Sequence, residues 1–115
     1  MRAARLEAVK TEMVRHLADP TISADRIAMR LGLSTRYIRR LLAGEGVSFS
    51  ERMLELRLLH AYDLLSDPGR QWHTISSIAF ELGFGDLSYF NRTFRRRFGG
   101  TPSDVRQSRR VSKPA

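Results

Sequence analysis

Ile27-Ala28-Met29-Arg30-Leu31-Gly32-Leu33 recurs as Ile78-Ala79-Phe80-Glu81-Leu82-Gly83-Phe84, an offset of 78 − 27 = 51 residues for the whole pattern. In each copy isoleucine, alanine and the later leucine share one face of a short helix, and the glycine supplies the left-handed residue that ends it. A second helical run rich in arginine follows each copy, Thr35-Arg36-Tyr37-Ile38-Arg39-Arg40 and Asn91-Arg92-Thr93-Phe94-Arg95-Arg96-Arg97. Short helix, tight turn and basic helix are the signature of a helix-turn-helix. Two copies imply two helices built to read DNA.

Working outward, Leu6, Val9, Met13, Val14 and Leu17 recur at steps of three and four, predicting a first helix that stops near Asp19-Pro20. Ser23 caps the next helix, with Ile27, Ala28 and Leu31 inward, and Ser34 caps the one after it, with Ile38, Leu41 and Leu42 as its buried stripe. Beyond Gly44 and Gly46, Ser48 starts a long helix reaching about Ser66. It carries two apolar stripes, Phe49, Met53, Leu56 and Leu59 or His60 on one side, and Leu54, Leu58, Ala61 and Leu65 on the other. Asp67-Pro68-Gly69 stops it, and Thr74 caps the first helix of the second copy. Asp86 caps the following helix, in which Phe90, Phe94 and Phe98 repeat every four residues on the core side. Gly99-Gly100 ends that helix, and Thr101-Pro102 begins a last short one.

The expected architecture is all-α, about seven helices in two helix-turn-helix subdomains joined by a long connecting helix. The expected boundaries are residues 1–47 for the first subdomain, 48–66 for the connecting helix and 67–108 for the second. Residues 109–115 form a basic tail without apolar periodicity, expected to be disordered.

The chain carries 20 Lys and Arg against 12 Asp and Glu, a formal net charge of +8, which favours a polyanionic partner through counterion release. The charge is segregated: residues 91–115 hold eight basic residues and one acid, Asp104, whereas residues 51–90 hold three basic residues and six acids. There is no cysteine, which excludes disulfides, a cysteine-ligated zinc finger and thiol catalysis. No apolar run approaches a membrane span and the N-terminus lacks the apolar core of a signal peptide, so a cytoplasmic protein without membrane contact is expected. His16, His60 and His73 are widely spaced and suggest neither metal ligation nor catalysis. No enzyme activity, cofactor or metal is expected.

From Ile78 through Phe84-Gly85-Asp86-Leu87-Ser88-Tyr89-Phe90-Asn91-Arg92 to Phe98-Gly99-Gly100-Thr101-Pro102, the chain resembles the C-terminal signature of the AraC/XylS family of bacterial transcription regulators. The similarity extends upstream through Gly44-Glu45-Gly46-Val47-Ser48-Phe49 and Arg57-Leu58, covering about residues 6–106. The resemblance implies two recognition helices entering successive major grooves of promoter DNA. It also implies contact with RNA polymerase, as in an activator, and often a sensor or dimerisation domain elsewhere. A chain of 115 residues has no room for such a domain, so a fragment of a longer regulator is expected, a small stand-alone regulator being the alternative. One departure is Pro102-Ser103-Asp104-Val105-Arg106, where the family usually has an aromatic ring at the position of Val105.

In the first recognition helix Thr35, Arg36, Arg39 and Arg40 avoid the core stripe and are candidates for the groove. Each arginine is suited to guanine O6 and N7 or, equally, to a phosphate. In the second, Leu87, Ser88, Asn91, Arg92 and Arg95 form the corresponding set. Asn91 is suited to adenine and Leu87 to a thymine methyl, and the resemblance places Ser88 and Arg92 nearest the bases. Arg96 and Arg97 are expected to clamp phosphates. Amides near Ser23 and Thr74 could receive phosphates, although capping is their first role. Tyr37 and Tyr89 are expected in the core, and Trp72 over the hydrophobic seam between subdomains. The acids of residues 51–67 read as a solvated face, with a surface for RNA polymerase or a sensor domain as the alternative. The rival function is a basic protein-interaction module, and a structure-specific RNA binder is weaker because the A-form major groove is too narrow.

Overall fold

The computed structural model describes residues 2–112. It contains seven α-helices among the described residues: α1 Arg2–Arg15, α2 Ala24–Leu31, α3 Thr35–Ala43, α4 Phe49–Ser66, α5 Ile75–Glu81, α6 Leu87–Phe98 and α7 Pro102–Ser112, with a 3-10 turn at Pro68–Arg70. Two compact units, Met1–Leu56 and Arg57–Ala115, divide within α4.

In the first unit Val9, Met13, Ile27, Ile38 and Leu42 are fully buried, and α2 and α3 close over α1. Phe49 and Met53 bring the first stripe of α4 into this core. The helix α1 is shorter than its apolar pattern suggests. It ends at Arg15, and the chain continues in tighter turns, Leu17 N–H to Val14 O and Asp19 N–H to His16 O. Leu17 is buried there, whereas Val14, expected on the inner face, is exposed. Glu12, earlier on the same helix, is buried. Its Oε1 accepts from Arg15 Nη1 at 2.8 Å, and its Oε2 lies 3.2 Å from His16 Nε2 without hydrogen-bond geometry.

In the second unit Leu58, Ala61 and Leu65 supply the other stripe of α4, and Ile78, Ala79, Leu82 and Phe84 supply α5 and its turn. The four-residue phenylalanine period of α6 builds an aromatic row, with ring centroids 4.8 Å apart for Phe84 and Phe90, 5.6 Å for Phe90 and Phe94, and 4.7 Å for Phe94 and Phe98. Tyr62 of α4 closes the row 4.9 Å from Phe98. Offset and tilted pairs of this kind add to plain area burial. The last helix starts on a reciprocal cap, Thr101 N–H to Asp104 Oδ2 and Asp104 N–H to Thr101 Oγ1. It runs to Ser112, past the expected limit near Ser108, so residues 109–112 are helical and not the expected disordered tail; residues 113–115 lie outside the described residues. Where the aromatic ring is replaced by Val105, the neighbouring Arg106 reaches the Arg70 carbonyl at 3.4 Å and ties α7 to the 3-10 turn.

The repeat seen in sequence is a repeat of backbone hydrogen bonds. Gly32 and Gly83 both take positive φ, 66° and 90°. The N–H of Leu33 reaches Ala28 O at 3.0 Å and that of Phe84 reaches Ala79 O at 3.1 Å, the six-to-one closure that ends a helix on a left-handed residue. Ser23 caps α2 by accepting from Arg26 N–H, and Thr74 caps α5 by accepting from Ser77 N–H.

Among the described residues no helix is long and apolar enough to cross a membrane.

Candidate nucleic-acid interface

The second helix of each motif is held at its first turn by a side-chain cap. Ser34 Oγ accepts from Tyr37 N–H at 3.1 Å, and Asp86 Oδ1 accepts from Ser88 N–H at 2.9 Å and Tyr89 N–H at 3.3 Å. The first-helix caps are 74 − 23 = 51 residues apart, but these second-helix caps are 86 − 34 = 52 apart. The second turn therefore holds one residue more, and the offset of 51 does not extend through the reading helices.

With Ile38, Leu41 and Leu42 inward, Arg36, Arg39 and Arg40 of α3 are exposed and Thr35 is half-buried. Thr35 does more than face outward: its hydroxyl donates to Asp25 Oδ1 at 2.6 Å, joining the start of α3 to the first turn of α2. With Phe90, Thr93 and Phe94 inward, Ser88, Asn91, Arg92, Arg95 and Arg96 of α6 are exposed and Leu87 is half-buried. Each set of sequence-chosen residues is thus assembled on one helix surface within its own unit. Thr93, buried, satisfies its hydroxyl by donating to the Tyr89 and Phe90 carbonyls.

Several basic side chains are held by acids. Lys10 and Arg52 both pair with Glu45, Arg15 with Glu12, and Arg70 with Glu81, while Arg26 lies 4.0 Å from Asp19. By contrast, among the described residues the side chains of Arg36, Arg39, Arg40, Arg92 and Arg96 make no hydrogen bond or ion pair, and outside these two helices the same holds for Arg2 and Arg30. Arg95 stands in the field of Asp104, whose carboxyl is held below its ordinary value by the Thr101 backbone N–H, then the Thr101 hydroxyl, with Arg95 adding to the effect. Arg97 lies over the Phe98 ring at 4.9 Å. Exposed cations without acid partners keep their full field for an incoming anion.

Three aromatic expectations are corrected or refined. Tyr89 is 43% exposed, not core, because it sits one residue before Phe90 and so off the phenylalanine stripe. Tyr37 is half-buried, with the Arg5 guanidinium 5.7 Å from its ring centre. Trp72 is 86% exposed and covers no seam; it lies in the turn between the 3-10 element and α5, outside any helical stripe. Arg5 was not singled out by sequence, and only its contact with α3 brings it to this surface. Among the described residues, no group of three or more His, Cys, Asp or Glu gathers in a way that could hold a metal ion.

Comparison with known proteins agrees with this fold. The family described as "Helix-turn-helix domain" matches residues 27–108. The transcriptional activator RhrA of Rhizobium meliloti is 39% identical over 103 residues, 90% of this chain and 32% of that protein. The HTH-type transcriptional activator RhaS of Escherichia coli O139:H28 is 33% identical over 108 residues, 93% of this chain and 37% of that protein. The chain thus spans about a third of the length of these curated relatives. The crystal structure of a transcriptional regulator from Chromobacterium violaceum, described among AraC-type DNA-binding domain-containing proteins, superposes with a TM-score of 0.85 at 31% identity, covering 98% of this chain and 96% of that one.

Proposed function

The chain belongs to the AraC-type helix-turn-helix DNA-binding domains, and from that membership we propose how it engages promoter DNA in transcription regulation. The helices α3 and α6 are the recognition helices, each entering a major groove, the two grooves being successive ones on the duplex. Thr35, Arg36, Arg39 and Arg40 read or orient in the first groove; Leu87, Ser88, Asn91, Arg92 and Arg95 do so in the second. Arg96 clamps phosphate. The observation that carries this reading is the set of exposed arginines gathered on the outer faces of α3 and α6, Arg36, Arg39, Arg40, Arg92 and Arg96, which have no acid partner among the described residues, whereas Lys10, Arg15, Arg52 and Arg70 are each held by one.

The domain acts as part of a longer activator in the cytoplasm, with a sensor or dimerisation domain outside this chain; the coverage of its relatives supports that arrangement. RNA polymerase is its protein partner, and the exposed acids Glu51, Asp63 and Asp67 are available to it. No catalytic step is assigned to any residue.

Titration of a labelled duplex with the chain, across a range of salt, tests the reading. Neutralising about eight phosphates should make log affinity fall with log salt at a slope of roughly −7. Arg39→Ala should relax preference at particular base pairs, and Arg96→Ala should weaken all duplexes evenly. Equal loss in both variants would remove the division between readers and clamps. Displacement by an acidic protein but not by duplex DNA would favour a protein-interaction module.

A further inference from the structure

Aligning α3 and α6 on their caps, Ser34 and Asp86, places their residues in one common register. The fourth and eighth residues, Ile38 and Leu42 in one helix, Phe90 and Phe94 in the other, are all fully buried, and the seventh, Leu41 and Thr93, is also buried. The positions that face outward can therefore be compared one by one. The fifth is Arg39 in α3 and Asn91 in α6; the second is Arg36 and Ser88; the sixth is Arg40 and Arg92. The first is Thr35, whose hydroxyl is engaged by Asp25, and Leu87, which is apolar.

Arginine pairs with guanine O6 and N7, asparagine with adenine N6 and N7, and an apolar group with the thymine methyl, while serine discriminates little. Resting on the DNA-binding reading above, we infer that the DNA site is not built of two like halves. The half read by α3 is guanine-rich, up to three arginines being available to it. The half read by α6 carries at most two guanines, opposite Arg92 and Arg95, beside an adenine at Asn91 and a thymine at Leu87. The difference at the fifth position sets the contrast, because Arg39 and Asn91 occupy the same place on the two helices. A comparison at the offset of 51 would instead pair Arg39 with Phe90, a core residue, and hide it.

Selection of the full chain on a randomised duplex pool at near-physiological salt, with Arg39→Asn and Asn91→Arg alongside, tests the assignment. The unaltered chain should enrich a motif with one guanine-rich half and one A·T-containing half. Arg39→Asn should convert one G·C position of the first half to A·T, and Asn91→Arg should do the reverse in the second, each changing discrimination by about 5- to 150-fold. Both positions are exposed, and melting of each variant checks its fold; Arg36→Ser makes the equivalent exchange at the second position should either fail. A motif of two like halves, or an unchanged motif in folded variants that still bind, overturns the inference. No enrichment by the unaltered chain would overturn the DNA-binding reading itself.

Discussion

Thr35 donates its hydroxyl to Asp25 at 2.6 Å, and through that bond the first residue of α3 is fastened to the first turn of α2. The bond explains why a residue chosen from sequence for the groove is also part of the scaffold. A recognition helix reads bases only if its angle to the preceding helix is fixed, and here one hydroxyl contributes to fixing it. Thr35→Val should lower the stability of the first unit by about 1 kcal/mol in urea unfolding. It should also reduce binding to the selected duplex more than to unrelated duplex. An unchanged ratio of the two affinities would leave the bond a purely structural role.

Phe90 is fully buried, with Phe84 and Phe94 as ring neighbours. Phe90→Ala should cost about 3–5 kcal/mol, the range for truncating a buried aromatic ring. Thermal melting followed by circular dichroism checks it. A loss below about 1 kcal/mol would mean that α6 is not held by this row.

Acid should weaken the fold at its helix starts and charge clusters. The carboxyls of Asp19, Glu45, Glu51 and Asp104 all lie below their ordinary values, held there first by hydrogen bonds from the Thr21 side chain, the Lys10 side chain, the Ser48 backbone and the Thr101 backbone. A group whose folded pKa is lowered contributes stability in full above its unfolded value, and that contribution is lost as pH falls through the folded one. The melting midpoint should therefore be flat from about pH 6 to 5 and fall below about pH 4, where carboxylates ordinarily titrate. A profile unchanged down to about pH 2 would contradict these assignments.

Trp72 is the sole tryptophan and is 86% exposed. Its emission should be that of an indole in water and be quenched freely by acrylamide. Trp72→Ala should change stability by no more than about 0.5 kcal/mol. A blue-shifted, protected emission would restore the covering role expected from sequence.

Where apolar residues recur at helical steps and glycine or a hydroxyl punctuates them, sequence and structure agree closely. Ile27, Ile38, Ile78, Phe90 and Phe94 are buried as their spacing requires, and Ser23, Ser34, Thr74 and Asp86 cap the helices that follow them. Disagreement falls at Val14, which keeps the period of α1 yet is exposed, and otherwise where no period operates. Trp72 sits in a turn, so its size suggested burial without any stripe to enforce it. Glu12 reads as a surface acid, and only tertiary packing reveals a buried carboxylate beside Arg15 and His16. Arg5 meets Tyr37 across 32 residues, a contact that local patterning cannot signal. The outward faces of α3 and α6 were legible because a helix with a well-marked inside has a determined outside.

The extra residue in the second turn bears on how such a domain could be re-engineered. Gly85 lies between the left-handed Gly83 with its Phe84 and the cap Asp86, whereas Ser34 follows Leu33 directly. A designer transplanting the reading surface of α6 onto α3 by counting from the repeated glycine would land one residue off, turning each side chain by about 100° around the helix axis. Phenylalanines would then point at solvent and an arginine into the core. The transferable cassette is the helix together with the residue that caps it, and its natural origin of coordinates is the cap.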